Sequence, residues 1–348
     1  MAKGKLRRFR AGNIAQEKAR VGRLRVVDEE WLAAIRPAYV WIDDPDQPSY
    51  RPIASYVIDP RGAIRGSAFH EGTPTTEEAL SALLASMYAP PLLSGGGRRP
   101  ARVAMDSPEW VAELGPALAE LGIECRLRER MPEIDRVQAW MCKQMTGRAP
   151  VPGLLSIEGV TLPLVKRLYE QAARLYRHEP WNHLNDWHPM AISTPPEANP
   201  RYVIVMGSSG QVYGLSIHDT LDDLHAMFAS HSHQQVVRSR TWSVLFYEEA
   251  RAVSFADLDA IARYDLEVVG HVAYPVFGRS TRNAELIEPR PDDVHFVDAA
   301  MAALNQHLDD FERGDVSDLW PVDRVLDLQG LSGPLRVRLH GDDMSSLG

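Results

Sequence analysis

Apolar residues recur along the chain in two periods, and the switches between them mark out the elements. Thr75 and Glu78 have the spacing of a capping box, and Leu80, Leu83, Leu84 and Met87 follow on one helical stripe that Pro90-Pro91 stops. Ser107-Pro108-Glu109 opens a second helix with Trp110, Val111, Leu114, Leu118 and Leu121 on its buried face, and Gly115-Pro116 is expected to kink or interrupt it. A third helix covers 133–145. Short apolar runs lie between: Tyr39–Ile42, then Ile53–Ile58 and Ala63–Phe69 joined by the turn Asp59-Pro60-Arg61-Gly62, then Arg102–Met105 and Ile123–Leu127. LLSGGGRRP (92–100) reads as a flexible loop. The order βββαβαβα predicts an α/β domain with a mixed sheet over residues 26–146.

Residues 147–160 (GRAPVPGLLSIEGV) lose helical periodicity and read as a linker. Beyond it Leu164, Val165, Leu168, Ala172 and Leu175 stripe a helix. Tyr202–Met206 and Val212–Ile217 flank Gly207-Ser208-Ser209-Gly210 as a hairpin, with Thr241–Tyr247 and His271–Phe277 as further strands. Short helices are marked by Leu221, Leu224 and Phe228 and by the Ser254 cap, and the longest helix runs from Val297 to Phe311. This mixture predicts an α+β domain over 161–315 with a largely antiparallel sheet, followed by a C-terminal tail, 316–348, that frays at its tip.

Composition narrows the class. With 348 residues, 45% hydrophobic and 24% charged, the chain is a globular protein long enough for two cores, which excludes wholesale disorder, a collagen repeat or a coiled-coil rod. No run approaches the ~20 apolar residues of a membrane helix. The basic N-terminus lacks the apolar core of a secretory signal, so a cytoplasmic location is expected. Cys125 and Cys142 form no CxxC pair and suit buried, inert thiols. The charge is uneven. Residues 1–25 carry nine bases (Lys3, Lys5, Arg7, Arg8, Arg10, Lys18, Arg20, Arg23 and Arg25) against Glu17, a balance of +8 on a remainder of −17. Such a basic arm can bind nucleic acid weakly and without sequence preference by releasing counterions, or fold against its own acidic body. Only Phe9 interleaves the bases, so a stacking platform is lacking there.

Three sets of side chains are candidates for chemistry. Asp44 beyond the first strand, Asp106 at the end of a later one, and Glu133 or Asp135 opening the next helix could hold two hard cations, Mg²⁺ or Mn²⁺, for phosphoryl displacement. Acids are equally at home in the Asp43–Pro48 turn and at a helix start. The histidines His178, His183, His188, His218, His225, His231 and His233 have no HExxH register, and no metal site is expected from them. Trp181 and Trp187, in WNHLNDW, suit either an interaction surface or a loop packed across the sheet. Gly207–Gly210 and Ser94–Gly97 match neither a nucleophile elbow nor a phosphate loop.

Two resemblances follow from these residues. AYVWIDDP through ECRLRERMPEIDRV, together with LYEQAARLYRHEPW, RYVIVMGSSGQVYGLSIH and VAYPVFGR, resembles a family of uncharacterised bacterial two-domain proteins across most of residues 38–312. That resemblance implies a shared two-domain fold in a bacterial cytosol and no activity. The element order with its strand-end acids also resembles the ribonuclease H-like layout. The expectation is a non-catalytic binding or interaction protein that needs no cofactor and meets a protein partner or a second copy of itself. The alternative is a metal-dependent nucleic-acid-processing enzyme.

Overall fold

A computed structural model of the chain describes residues 9–44, 47–229, 243–280 and 286–341, and divides it into two units, Met1–Pro150 and Val151–Gly348. The first unit contains helix α1 (Ile14–Gly22) and strands β1 (Val26–Pro37), β2 (Ile42–Asp44), β3 (Gln47–Tyr50), β4 (Ile53–Ile58) and β5 (Ile64–His70). After these come α2 (Thr76–Tyr88), β6 (Arg99–Met105), α3 (Pro108–Ala119), β7 (Glu124–Leu127) and α4 (Pro132–Thr146). Five strands form a mixed sheet in the order β5-β4-β1-β6-β7. β1 is antiparallel to β4 and parallel to β6, β4 is antiparallel to β5, and β6 is parallel to β7.

β1 explains why this sheet has a core on each face. Successive side chains of a strand point to opposite sides. Trp31 and Ala33 enter one core with Leu80, Leu84, Val103 and Leu118, while Leu32 and Ala34 enter the other with Tyr56, Ala104 and Ile134. The central strand is therefore 26–37. Of the strand expected at Tyr39–Ile42, only Ile42 is extended, in the separate β2–β3 hairpin where it pairs with Tyr50. The Thr75–Glu78 capping box is formed, and Ser107 caps α3 through the Trp110 amide. Pro116 sits within α3 without breaking it, and the helix runs on to Ala119.

Two segments of this unit are held, one whose docking the sequence leaves open and one expected to be flexible. In the basic arm, residues 9–25 fold back onto the body. Val21 is fully buried, Glu17 Oε1 accepts from Ser81 and Tyr88, and Lys18 pairs with Glu120. The 92–100 loop is pinned by Arg65, a wholly buried guanidinium that stacks on Trp31 at 4.7 Å and donates to the carbonyls of Ser94 and Gly96.

The second unit contains α5 (Leu162–His178), β8 (Met190–Ser193), β9 (Arg201–Met206), β10 (Tyr213–His218), α6 (Leu221–Ala229) and β11 (Ser243–Glu248). It continues with α7 (Phe255–Tyr264), β12 (Tyr274–Ser280), β13 (Leu286–Ile287), α8 (Pro291–Glu312), β14 (Val322–Gly330) and β15 (Gly333–Gly341). Its eight strands pair antiparallel in the order β13-β12-β11-β10-β9-β8-β15-β14. The stripes of α5 and α8 share one core with the inner faces of β8, β9, β10 and β15. Gly207 closes the β9–β10 hairpin at φ 136, where a Cβ would stand 2.7 Å from Trp181. Leu154, Ile157 and Val160, from the segment read as a linker, belong to this core.

The tail expected over 316–348 is instead a structural hairpin through Gly341. Leu335, Val337 and Leu339 alternate with Arg336 and Arg338, the period-2 pattern of a strand with one buried face. Val337 and Leu339 are fully buried, β15 pairs with β8, and Arg338–Asp323 and Arg336–Asp327 bridge the two strands. Residues 342–348 lie outside the described residues. Among the described residues no helix is long and apolar enough to cross a membrane.

Candidate functional site

Because β1 and β6 run parallel, their C-terminal ends emerge side by side, with Ala33 opposite Met105. β1 continues to Arg36, and β6 is followed at once by Asp106. α4 begins nearby with Glu133 and Asp135 in its first turn, where acids face the positive end of the helix. Arg36 connects the three elements. Its Nη1 lies 2.7 Å from Asp135 Oδ1 and its Nη2 lies 3.5 Å from Asp106 Oδ2. Gln138, one turn along α4, donates to the Pro37 carbonyl at 2.6 Å and fixes the helix against the same strand end. Burial pushes the Asp106 carboxyl above its ordinary range, and the Arg36 charge opposes that rise. Glu133 is held below its ordinary range by its own backbone amide and by Arg128, which donates to it at 2.9 Å.

Two of the sequence-predicted acids therefore do meet, on a guanidinium. Glu133 is engaged separately by Arg128. Asp44 sits at the end of β2, outside the five-stranded sheet, and its side chain lies outside the described residues. Among the described residues no group of three or more His, Cys, Asp or Glu side chains is placed to hold a metal ion. Arg36 escaped the sequence reading. The only signal for it was a cation closing the apolar run Trp31–Ile35.

The basic residues fare unevenly. Lys18 is paired, while Arg10, Arg20, Arg23 and Arg25 are exposed, with Arg20 over the Tyr88 ring at 5.4 Å. Lys3, Lys5, Arg7 and Arg8 lie outside the described residues.

The tryptophans separate. Trp181 is a core residue, packed among Tyr176, Tyr213 and Tyr247, which removes it as a surface candidate. Trp187 is 68% exposed and stacks on Phe228 with centroids 5.3 Å apart.

The histidines also disperse. His178 contacts Asp309 and Glu312, His183 meets the Phe311 ring, and His188 meets Trp320. Burial takes His218 down to about 4, so it is neutral near pH 7, 2.9 Å from Ser216 Oγ. His225 lies in α6, and His231 and His233 lie outside the described residues. Burial raises both thiols, Cys125 and Cys142.

A second ionic assembly, unread in the sequence, stands at the start of α8. Asp293, with no exposed surface, accepts from Arg290, Arg201 and Arg279 at 2.8, 3.1 and 3.3 Å. Burial would raise its carboxyl, but Arg290, through side chain and backbone, and Arg279 bring it down to about 2. Asp219 receives the same three arginines. The cluster clamps β9, β12 and the capping box of α8 together, a structural role.

Residues 166–318 match the family model of a domain of unknown function (DUF7309). No curated protein matches the chain. Among solved structures the chain is similar, at 12% identity, to one in the cryoEM structure of a simian T-cell lymphotropic virus intasome in complex with PP2A regulatory subunit B56 gamma. The match covers 56% of this chain and 78% of that one, with a TM-score of 0.24, a level at which the likeness carries no argument.

Proposed function

We propose that the chain is a non-catalytic binding protein of the bacterial cytosol, whose first unit has a ribonuclease H-like strand order and an arginine in the place of bridging metal ions. Taken in chain order, the five strands of its sheet stand 3-2-1-4-5, with 1, 4 and 5 parallel. Enzymes of that layout hold two metal ions between carboxylates on strand ends and on a following helix. The observation that carries the reading is Arg36, seated between Asp106 and Asp135. Hard divalent ions need several oxygen ligands around them. Of the three candidate acids whose side chains are described, Glu133 is tied to Arg128 and Asp106 and Asp135 share a guanidinium, so these three do not fit a two-metal centre. The free cysteines suit a reducing compartment. A protein partner or a second copy of the chain would meet the exposed Trp187–Phe228 stack.

The second reading, a Mg²⁺- or Mn²⁺-dependent enzyme acting on nucleic acid, is favoured by the same strand order and by Asp106 at the end of the fourth strand. The purified full chain should show no Mg²⁺- or Mn²⁺-dependent cleavage of single-stranded, duplex or hybrid substrates. Cleavage that Asp106→Ala abolishes in a folded protein would replace the binding reading with the enzymatic one.

A further inference from the structure

α4 turns one face to the interior and another to a groove. Ile134, Gln138 and Cys142 are buried, whereas Glu133, Arg136, Val137 and Trp140 line one wall of an open groove of about 470 Å³. The opposite wall is the β4–β5 turn, with Pro60, Arg61, Gly62 and Ile64. That turn is rigid: Asp59 Oδ1 accepts from the amides of Arg61 and Ala63, Gly62 takes φ 78, and Asp59 Oδ2 is anchored by Arg98 at 2.7 Å.

Three properties of the groove define what fits it. Its floor and sides are apolar, from Pro60, Ile64 and Val137, and the Trp140 indole is 54% exposed. A tryptophan left in water on an otherwise ordinary helix face is the informative kind of exposure. The rim carries two exposed guanidiniums, Arg61 and Arg136, neither of which forms an ion pair among the described residues. The one acid of the lining, Glu133, is neutralised by Arg128. The groove is thus locally cationic on a chain of net charge −9. Its volume falls in the range of small-ligand sites, about 300–1,000 Å³.

We propose that this groove binds a nucleotide unit, its base stacked on Trp140 and its phosphate held between Arg61 and Arg136. A flat π-face and a phosphate a few ångströms apart account for the indole and the two cations together, and every base has a π-face to offer. Arg128 engages Glu133 through Oε1 and leaves Oε2 without a hydrogen-bond partner, so the affinity rests on the stack and the phosphate contacts, both indifferent to sequence, and that one oxygen is the only acceptor Glu133 offers to a base edge. The unit is supplied either as a free mononucleotide or within a single strand. This inference does not rest on the non-catalytic reading: that reading depends on Arg36, this one on Trp140, and binding and cleavage are scored separately.

The test uses the full chain, a fluorescein-labelled mixed-sequence ten-nucleotide single strand followed by anisotropy at low salt, and AMP and inorganic phosphate followed by calorimetry. The oligonucleotide is expected to bind, and Trp140→Ala to weaken it by about tenfold or more while Trp140→Phe stays within a few-fold of the parent. Arg61→Gln and Arg136→Gln should each lower affinity and flatten the salt dependence by roughly 0.7 in the log–log slope. The same losses must persist when Lys3, Lys5, Arg7, Arg8, Arg10, Arg20, Arg23 and Arg25, the N-terminal bases other than the paired Lys18, are all changed to glutamine, which separates the groove from the N-terminal bases. AMP that competes with the strand identifies a single-nucleotide site, and a strand that binds without AMP competition identifies a single-strand track. Unchanged affinity in a folded Trp140→Ala protein, absence of binding by both probes, or inorganic phosphate competing as well as AMP would overturn the proposal.

Discussion

Asp257→Asn is expected to stabilise the second unit at neutral pH and to leave it unchanged in acid. Asp257 sits in the first turn of α7, where its Oδ1 accepts from the Leu154 amide at 2.8 Å and its Oδ2 accepts from the Ser254 hydroxyl at 2.9 Å. Burial pushes its carboxyl up to about 6 from an ordinary 3.8; the Leu154 and Ser254 bonds oppose the rise, and nearby Glu288 adds to it. A folded-state value raised by about two pH units, at ~1.4 kcal/mol each, corresponds to ~3 kcal/mol of cost for carrying the charge in the fold. The sign follows from proton counting. Between about pH 4 and 6 the folded chain holds a proton that the unfolded chain has released, so stability from this group is full below pH 4 and lost as pH rises through 6. The residue keeps some solvent exposure, which makes ~3 kcal/mol an upper figure, and asparagine loses a favourable charge near the helix start worth about 0.3–1 kcal/mol. Its amide oxygen still accepts from Leu154, so a net gain of ~1–2 kcal/mol at pH 7.5 is expected, vanishing at pH 4. Urea unfolding of both proteins at the two pH values reads this difference, with every other titrating group held in common. Equal stability of the two at pH 7.5, or a variant less stable there, would refute the reasoning.

Arg65→Met should cost the first unit ~3 kcal/mol, because two buried carbonyls lose a charged donor and Trp31 loses its stacked cation; a urea-unfolding change under ~1 kcal/mol would contradict the pinned loop. Ending the chain before Val322 should leave the second unit insoluble or without a cooperative transition, since it bares β8 and removes Val337 and Leu339, whereas a soluble, cooperatively melting fragment would restore the tail reading. Deleting residues 2–25 should lower the thermal midpoint by several degrees, through the loss of Val21 and the Glu17 hydrogen bonds, while changing Arg10, Arg20, Arg23 and Arg25 to glutamine should leave it in place. An equal midpoint for the deletion would return residues 9–25 to the status of a free arm.

What could be read in the sequence was whatever local chemistry dictates. The Thr75 capping box, the Ser107 and Ser254 caps and the Asp59–Gly62 turn are decided within a few residues, and the structure contains each of them. β1 was missed because a central strand buried on both faces has no alternation, and its apolar run Trp31–Ile35 is short and flanked by charges. The β14–β15 hairpin does alternate, but its outward arginines and aspartates read as the polar run of a chain end. Gly95–Gly97 read as loose because the guanidinium that holds it lies about thirty residues earlier, in β5. Asp106 and Asp135 were found as candidates, yet nothing local could say that Arg36, roughly seventy to a hundred residues away, would stand between them. Trp181 and Trp187 share one heptapeptide environment, and only tertiary packing sends the first inward and leaves the second exposed.

The central claim is that a guanidinium from the end of β1, not a metal ion, bridges the carboxylates that follow β6 and open α4. Crystals of the full chain soaked in Mn²⁺, with anomalous data collected at the manganese edge, test it directly. No anomalous peak is expected within coordination distance of Asp106 or Asp135, with Arg36 still seated between them. A peak joined to Asp106 and Asp135, with Arg36 swung away, would contradict it.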